Sequence, residues 1–240
     1  MEVIGIIPAR YHSTRFEAKV LADIGGKPMI QHVWERAKQA KLLDDLIVAC
    51  DDERVLKVVT DFGGKAVFTS KEHASGTDRI TEIINPIDVR IVVNIQGDEP
   101  LVHPTMIDGV ARALLEDKDS VVATIVKKIK RQEEIADSNV VKVVFDKHGS
   151  ALYFSRSTIP FVRDNDQIEV IYYKHIGLYG YTKDFLFTYK NLPQSNLEKL
   201  EKLEQLRILE NGYRIKVIET EHETFGVDVP DDLLKVREYL

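Results

Sequence analysis

The chain has 240 residues, of which 44% are hydrophobic and 30% are charged, and its net charge is -6. This balance is typical of a folded globular protein and excludes a disordered or fibrous chain. The negative net charge lacks the broad cationic surface that binding to a nucleic-acid backbone requires, so we expect no nucleic-acid partner and only local basic sites.

The single cysteine and the start of the chain bear on location. One thiol, Cys50, cannot form an internal disulfide, and a buried thiol in a reducing compartment fits it best. Met1 leads directly into the first predicted strand, which leaves no room for a signal peptide, and no apolar run reaches membrane-spanning length. The sequence therefore predicts a cytoplasmic protein with no membrane partner.

The first predicted strand, residues 3–7, ends at Pro8 and Ala9 and runs into a small, basic, hydroxyl-bearing loop. The cations and hydroxyls of this loop are Arg10, Ser13, Thr14, Arg15 and Lys19. Such a loop at the end of a strand can bond phosphate oxygens, and its three cations can neutralise a triphosphate. The alternative is a solvated surface turn, which is the better interpretation of a basic loop taken alone.

Strands then alternate with helices up to residue 95. A helix follows Pro28, a strand covers 46–49, and Asp51 or Asp52 caps a helix that ends at Gly63 and Gly64. A short strand covers 66–68, Thr77 or Asp78 caps the next helix, and a strand covers 91–95. Strands that are apolar on both faces, in this order, predict a mostly parallel sheet whose ligand site lies at the carboxyl ends of the strands.

The second half departs from this alternation. Residues 121–129, 140–145, 151–154 and 171–181 are typical of strands with little helix between them, which predicts antiparallel pairing and a smaller lobe or extended edge. In the helix after Ser195, a 100° step per residue places Glu204 between Leu200 and Ile208. That carboxylate either pairs with an arginine at the helix end or faces a polar ligand, and periodicity alone does not decide between them.

Two acidic positions follow predicted strands. Gln96, Gly97 and Asp98 come where the strand at 91–95 ends, and Asp228 precedes a helix that Pro230 opens. Gln96 can donate to and accept from a base or sugar, Gly97 permits close backbone approach, and Asp98 offers a hard oxygen ligand beside the expected phosphates. Asp98 is therefore the first candidate metal ligand, although a turn or cap would also explain either aspartate.

Seven groups of residues together resemble one family. They are 7–10 (IPAR) with 13–15 (STR) and Lys19, 75–79 (SGTDR), 94–100 (NIQGDEP), 151–160 (ALYFSRSTIP), 174–181 (KHIGLYGY), 203–207 (LEQLR) and 226–228 (GVD). Together they resemble the 3-deoxy-manno-octulosonate cytidylyltransferases over essentially the whole chain. This resemblance implies an α/β, nucleotide-diphospho-sugar transferase-like fold, with a mostly parallel Rossmann-like sheet, helices on both faces and a smaller antiparallel dimerisation lobe.

The same resemblance implies one nucleotidyltransferase domain over 1–240, with a sugar-binding and dimerisation lobe at about 150–210, and a homodimer. The implied reaction takes CTP and 3-deoxy-D-manno-octulosonate (Kdo) to CMP-Kdo and pyrophosphate with Mg²⁺, for lipopolysaccharide biosynthesis. Two alternatives remain. One is a cytidylyltransferase for another acidic sugar, such as 8-amino-Kdo or a sialic acid, and the other is a catalytically silent nucleotide-binding module.

The resemblance also implies roles for individual positions. The nucleotide site would comprise Pro8, Ala9, Arg10, Ser13, Arg15, Lys19, Ser75, Arg79 and Gln96. The sugar acid would meet Arg156, His175, Tyr179, Glu204 and Gln205. The metal would be held by Asp98 and Asp228, and these two with Arg10 and Lys19 would be the catalytic residues. One departure is visible, because the family commonly has Leu-Pro-Gly-Lys-Pro where this chain has Phe16-Glu17-Ala18-Lys19-Val20.

Overall fold

The computed structural model describes residues 1–12, 16–73, 76–164 and 170–239. Its strands are β1 (Val3–Ala9), β2 (Asp23–Ile24), β3 (Lys27–Pro28), β4 (Asp45–Cys50), β5 (Ala66–Phe68), β6 (Ile91–Asn94), β7 (Val122–Lys128), β8 (Lys142–Phe145), β9 (Ala151–Ser155), β10 (Tyr173–Thr182) and β11 (Ile215–Glu219). Its helices are α1 (Met29–Ala37), α2 (Glu53–Asp61), α3 (Gly76–Ile84), α4 (Pro104–Glu116), α5 (Gln132–Ala136), α6 (Lys183–Asn191), α7 (Asn196–Glu201), α8 (Gln205–Glu210) and α9 (Asp232–Arg237). Among the described residues, Lys19–Leu21 form a 3-10 turn.

Nine strands of these described ranges form one sheet, ordered β11-β7-β10-β6-β1-β4-β5, with β8 pairing to β10 and β9 pairing to β8. Strands β6, β1, β4 and β5 are parallel, as are β11 and β7. The long strand β10 is antiparallel to both β6 and β7 and joins the two parallel groups. The predicted mostly parallel α/β fold is confirmed, and β2 with β3 forms a separate two-stranded sheet.

The sheet is buried on both faces because its strands are apolar on both sides. In β6, Ile91 and Val93 face one core and Val92 faces the other. The first core receives apolar residues of α1, α2 and α4, and the second receives those of α3, α6 and α8. Helices therefore cover both faces, and the loops at the carboxyl ends of β1, β4 and β6 stay open to ligands.

The helix boundaries confirm one cap predicted from the sequence and correct another. Asp52 caps α2 by accepting from the Arg54 amide, as predicted. Thr77 and Asp78 do not cap α3, because that helix already begins at Gly76. Both residues therefore belong to its first turn, where the buried Thr77 packs inside the fold.

The helix predicted after Ser195 is two short helices. Lys202 adopts a left-handed conformation (φ 54°) and separates α7 from α8. The periodicity that placed Glu204 on an apolar stripe is therefore wrong, and Leu200 is 79% exposed. Arg207 instead folds back on the buried Glu198, with its Nε 2.7 Å from a carboxylate oxygen. This ion pair joins the two helices, and local periodicity cannot report it.

The C-terminal helix α9 begins at Asp232, two residues later than the opening predicted at Pro230. Across the described part of the chain, no helix is long and apolar enough to cross a membrane.

Candidate active site

Two adjoining cavities lie at the carboxyl ends of the central parallel strands. One measures about 400 Å³ and the other about 390 Å³, and Pro8, Gly76 and Gln96 line both. Pro8 lies near the end of β1, Gly76 begins α3, and Gln96 follows β6. The fold therefore brings these three residues together. Two neighbouring cavities therefore lie at the edge of the sheet where the sequence predicts a ligand site.

The first cavity combines cations with a carboxylate. Arg10, His12 and Lys19 line it together with Asp98. The Lys19 ammonium is 2.6 Å from an Asp98 carboxylate oxygen and 3.7 Å from an Asp228 oxygen. The Val227 amide donates to the Asp98 carbonyl at 2.9 Å, which carries Asp228 from the far end of the chain to this cavity. The structure thus brings together Lys19 and the two aspartates predicted to bind metal.

Two backbone features shape this cavity. At Gly97, a Cβ atom would lie 2.8 Å from the Pro8 carbonyl oxygen, so only glycine fits between the ends of β6 and β1. Ala18 has φ 53° and ψ 26°, a left-handed conformation, and its amide donates to the Tyr11 carbonyl at 2.9 Å. This bond closes the loop that presents Lys19, and Ala18 stands where the family commonly has glycine.

The two aspartates fit a magnesium site in which the substrate supplies the remaining ligands. Both carboxylates approach the same ammonium, so both already face one centre of positive charge. In the described ranges there is no group of three or more His, Cys, Asp or Glu side chains that could hold a metal ion. Magnesium commonly binds one or two carboxylates together with substrate phosphates and water, and this donor set matches that pattern.

Two predicted nucleotide residues have partners inside the protein. The Arg10 guanidinium donates to the His73 carbonyl at 3.1 Å while lining the first cavity. Arg79 is fully buried, donates to Asp51 at 2.9 Å and to the Thr69 hydroxyl, and lines neither cavity. Burial lowers the pKa of the Arg79 guanidinium. In this structure Arg79 therefore joins α3 to the ends of β4 and β5.

Three further predicted residues, Ser13, Arg15 and Ser75, lie outside the residues that the structure describes. Pro8 lines both cavities, and Ala9 is a fully buried residue at the end of β1.

The second cavity is lined by aromatic rings and amides. Its lining includes His175, Tyr179, Tyr181, Tyr189, Asn94, Glu204 and Gln205. The Tyr179 and Tyr181 rings stack with centroids 5.7 Å apart, and burial raises the pKa of the Tyr179 hydroxyl well above its usual value. Phenol rings and amides suit a polyhydroxylated ligand, because they offer apolar faces together with neutral donors and acceptors.

Two amides in this cavity carry buried atoms without a protein partner. They are Asn94 Oδ1 and Gln205 Nε2, on side chains that are more than nine-tenths buried. A buried polar atom without a partner is costly, so each is a candidate contact for a bound ligand. Sequence reasoning did not assign Asn94 a role, although a lone amide in the apolar run 91–95 was the available signal.

The remaining predicted sugar residues differ in their surroundings. Glu204 is exposed at the start of α8 and lines the second cavity. Arg156 lines neither cavity, because its guanidinium donates to the Glu201 carbonyl at 2.7 Å and to the Ser138 carbonyl at 2.9 Å. Burial lowers the pKa of His175 to about 3, so its imidazole is neutral near pH 7.

Gln96, which lines both cavities, is tied to β10, because its Nε2 donates to the Gly177 carbonyl at 3.2 Å. The neighbouring Glu99 has a shifted pKa. Burial, with a smaller contribution from the Asp98 charge, raises the pKa of its carboxyl to about 7.

Comparisons with known proteins give a consistent result. The Cytidylyltransferase family model matches residues 4–217. The 3-deoxy-manno-octulosonate cytidylyltransferase of Geotalea uraniireducens is 52% identical over 100% of this chain and 99% of its own length. That of Syntrophus aciditrophicus is 51% identical over 100% and 97%.

Solved structures agree. A CMP:2-keto-3-deoxy-manno-octonic acid synthetase complexed with CTP superposes with a TM-score of 0.94 at 43% identity, covering 100% of this chain and 98% of that one. A 4-diphosphocytidyl-2C-methyl-D-erythritol synthase from Anaerococcus prevotii shares the fold, with a TM-score of 0.67 at 15% identity over 99% and 97% of the two chains.

Proposed function

Because this chain belongs to the 3-deoxy-manno-octulosonate cytidylyltransferase family, we propose that it transfers CMP from CTP to Kdo and releases pyrophosphate. The observation that carries this proposal is the pair of cavities that share Pro8, Gly76 and Gln96. One offers cations and carboxylates to a triphosphate, and the other offers tyrosines and amides to a sugar. The cytidylyl group would be transferred where the two cavities meet.

The protein's contribution is to position the substrates and neutralise charge. The anomeric hydroxyl of Kdo attacks the α-phosphorus of CTP in line with the departing pyrophosphate, and no covalent enzyme intermediate is needed. Arg10 and Lys19 line the phosphate cavity and stabilise the negative charge that grows on the leaving group. Lys19 is held ready for this role by Asp98 at 2.6 Å.

We propose that Asp98 and Asp228 hold Mg²⁺. When bound there, the ion supplies charge neutralisation at the phosphates and lowers the pKa of the attacking hydroxyl. With a cation held by the two carboxylates, the Lys19 ammonium would no longer be needed to balance them and would be available to the phosphates.

On the sugar side, Gln96 lines both cavities, and Tyr179, Glu204 and Gln205 line the second. Their donors and acceptors orient the hydroxyls of the sugar and keep bulk water from the reacting hydroxyl. Asn94 contributes its buried Oδ1 as an acceptor for a sugar hydroxyl.

We further propose a homodimer that acts in the cytoplasm and supplies lipopolysaccharide biosynthesis. Large exposed apolar side chains support a protein interface near the β8–β9 hairpin, and they are Leu152, Phe161, Val162 and Ile171. The single buried thiol, Cys50, supports a reducing compartment.

The test is pyrophosphate release by the purified protein with CTP and Mg²⁺. Kdo, 8-amino-Kdo, N-acetylneuraminate and no sugar are compared. Release that depends on Kdo is the expected result. Release with another sugar acid alone would reassign the second cavity and keep the chemistry, and no release with any sugar would favour a silent nucleotide-binding module.

A further inference from the structure

Strand β10 is irregular where it passes the second cavity. Neighbouring residues of β7, Ile125 and Thr124, pair with Ile176 and Tyr179, so two extra residues of β10 bulge between them. One of these is Gly177, whose carbonyl accepts from Gln96. The bulge thus connects Gln96 to a stretch of β10 that carries the rings of His175 and Tyr179, which flank the bulge in sequence.

One buried hydroxyl holds this bulge. Thr124 is fully buried, and its Oγ1 lies 2.9 Å from the Leu178 carbonyl oxygen and 3.3 Å from that of Ile176. The same Oγ1 lies 3.0 Å from His175 Nε2. Thr124 also lies opposite Tyr179 in the register of the two strands. One side chain of β7 therefore contacts both the bulge and the His175 ring, and its residue pairs with Tyr179.

The number of available protons decides the direction of these bonds. A hydroxyl has a single proton to donate and two lone pairs to accept with. The two carbonyls can only accept, so the hydroxyl proton goes to a carbonyl, and the nearer is that of Leu178. Were the proton turned toward His175, the hydroxyl lone pairs would face two carbonyl oxygens at 2.9 and 3.3 Å with no proton between them, which is unfavourable in a buried site.

We infer that Thr124 is a positioning residue of the sugar site, which fixes His175 with its proton on Nε2 and sets the bulge that carries the Gly177 carbonyl to Gln96. This inference rests on the proposed function for its role, but not for its geometry. The other ring nitrogen, Nδ1, is then an acceptor without a proton. His175 therefore serves a sugar hydroxyl and brings no positive charge to the sugar carboxylate, in keeping with its pKa of about 3.

The kinetic test compares two substitutions at this position. Thr124→Val keeps the shape and removes the hydroxyl, whereas Thr124→Ser keeps the hydroxyl and removes a methyl group. For Thr124→Val we expect kcat/KM for Kdo to fall about tenfold or more, mainly through KM for the sugar, with KM for CTP within about twofold. Thr124→Ser should stay within about threefold of the wild type, since the hydroxyl is what matters.

A matched control is Thr81→Val, because Thr81 is also buried, and its hydroxyl bonds the Asp78 carbonyl within α3. That variant should lose stability without changing KM for Kdo. Equal losses for Thr124→Val and Thr124→Ser would assign the effect to packing and overturn the inference. Unchanged sugar kinetics in Thr124→Val would overturn it as well.

A second readout does not depend on activity. Nitrogen-15 spectra of the histidine rings report which nitrogen carries the proton, and His175→Asn assigns the signal. We expect the Nε2–H form in the wild type and in Thr124→Ser, and a mixture of both forms in Thr124→Val. An Nδ1–H form in the wild type would overturn the inference even if Kdo is the substrate. If no sugar is a substrate, the Nε2–H form would keep the geometry, and only the proposed function would fail.

Discussion

Replacing Ala18 with glycine should stabilise the protein. Ala18 has φ 53°, where a Cβ atom is crowded by the backbone, at a cost of about 1–2 kcal/mol. Glycine removes this cost, but it also makes the unfolded chain more flexible, and that change destabilises the folded state by about 0.4–1 kcal/mol. The net expected gain is about 1 kcal/mol, or roughly 2–4 °C in Tm for a chain of this length.

The assay is urea unfolding, with Tm as a second measure, on Ala18→Gly beside a matched control. Ala22 lies in the same segment with φ -58°, so Ala22→Gly adds only flexibility to the unfolded chain and should destabilise by about 0.4–1 kcal/mol. The two alanine-to-glycine changes should therefore have opposite signs. Equal destabilisation by both would refute the left-handed conformation at Ala18 and the argument built on it.

Three other predictions concern carboxylates. Asp98→Asn should remove most pyrophosphate release with Tm within a few degrees of the wild type, and wild-type turnover would contradict its metal and Lys19-holding roles. Glu198→Ala should cost about 3 kcal/mol in urea unfolding because it leaves Arg207 without its buried partner, and a loss under about 1 kcal/mol would contradict this. The pKa of Glu99 is raised to about 7, so the folded state holds the proton of this carboxyl more tightly than the unfolded state. The free energy of unfolding should therefore fall as pH rises from 4.5 to about 7. Glu99→Gln should lack this part of the pH dependence, and parallel curves of stability against pH for variant and wild type would contradict the assignment.

The first half of the fold could be predicted from the sequence because its signals are local. The first strand, the cap at Asp52 and the βαβα order each depend on a few neighbouring residues, and all are present, although β1 runs through Pro8 to Ala9. The start of α3 could not be predicted from residue type, because threonine is a favoured cap and nothing in the local sequence shows that Thr77 lies buried in the first turn.

The second half could not be predicted as well, since its geometry depends on contacts between distant segments. The break at Lys202 accompanies the ion pair between Glu198 and Arg207, which lies across two helices. The placement of β10 between β6 and β7 depends on pairings across about 50 to 90 residues. For the candidate site, the resemblance named Glu204 and Gln205, but the role of Thr124 requires knowing the bulge opposite it.

The position of β10 also bears on how the chain is made. While a ribosome has released only the first 128 residues, β6 has β1 on one side and an open backbone edge on the other, and β7 has neither of its sheet neighbours. Unpaired edges of apolar strands are where nascent chains associate wrongly. Synthesis must reach residue 182 before β10 covers both of these edges, so the chain is exposed to aggregation while residues 129–182 are translated.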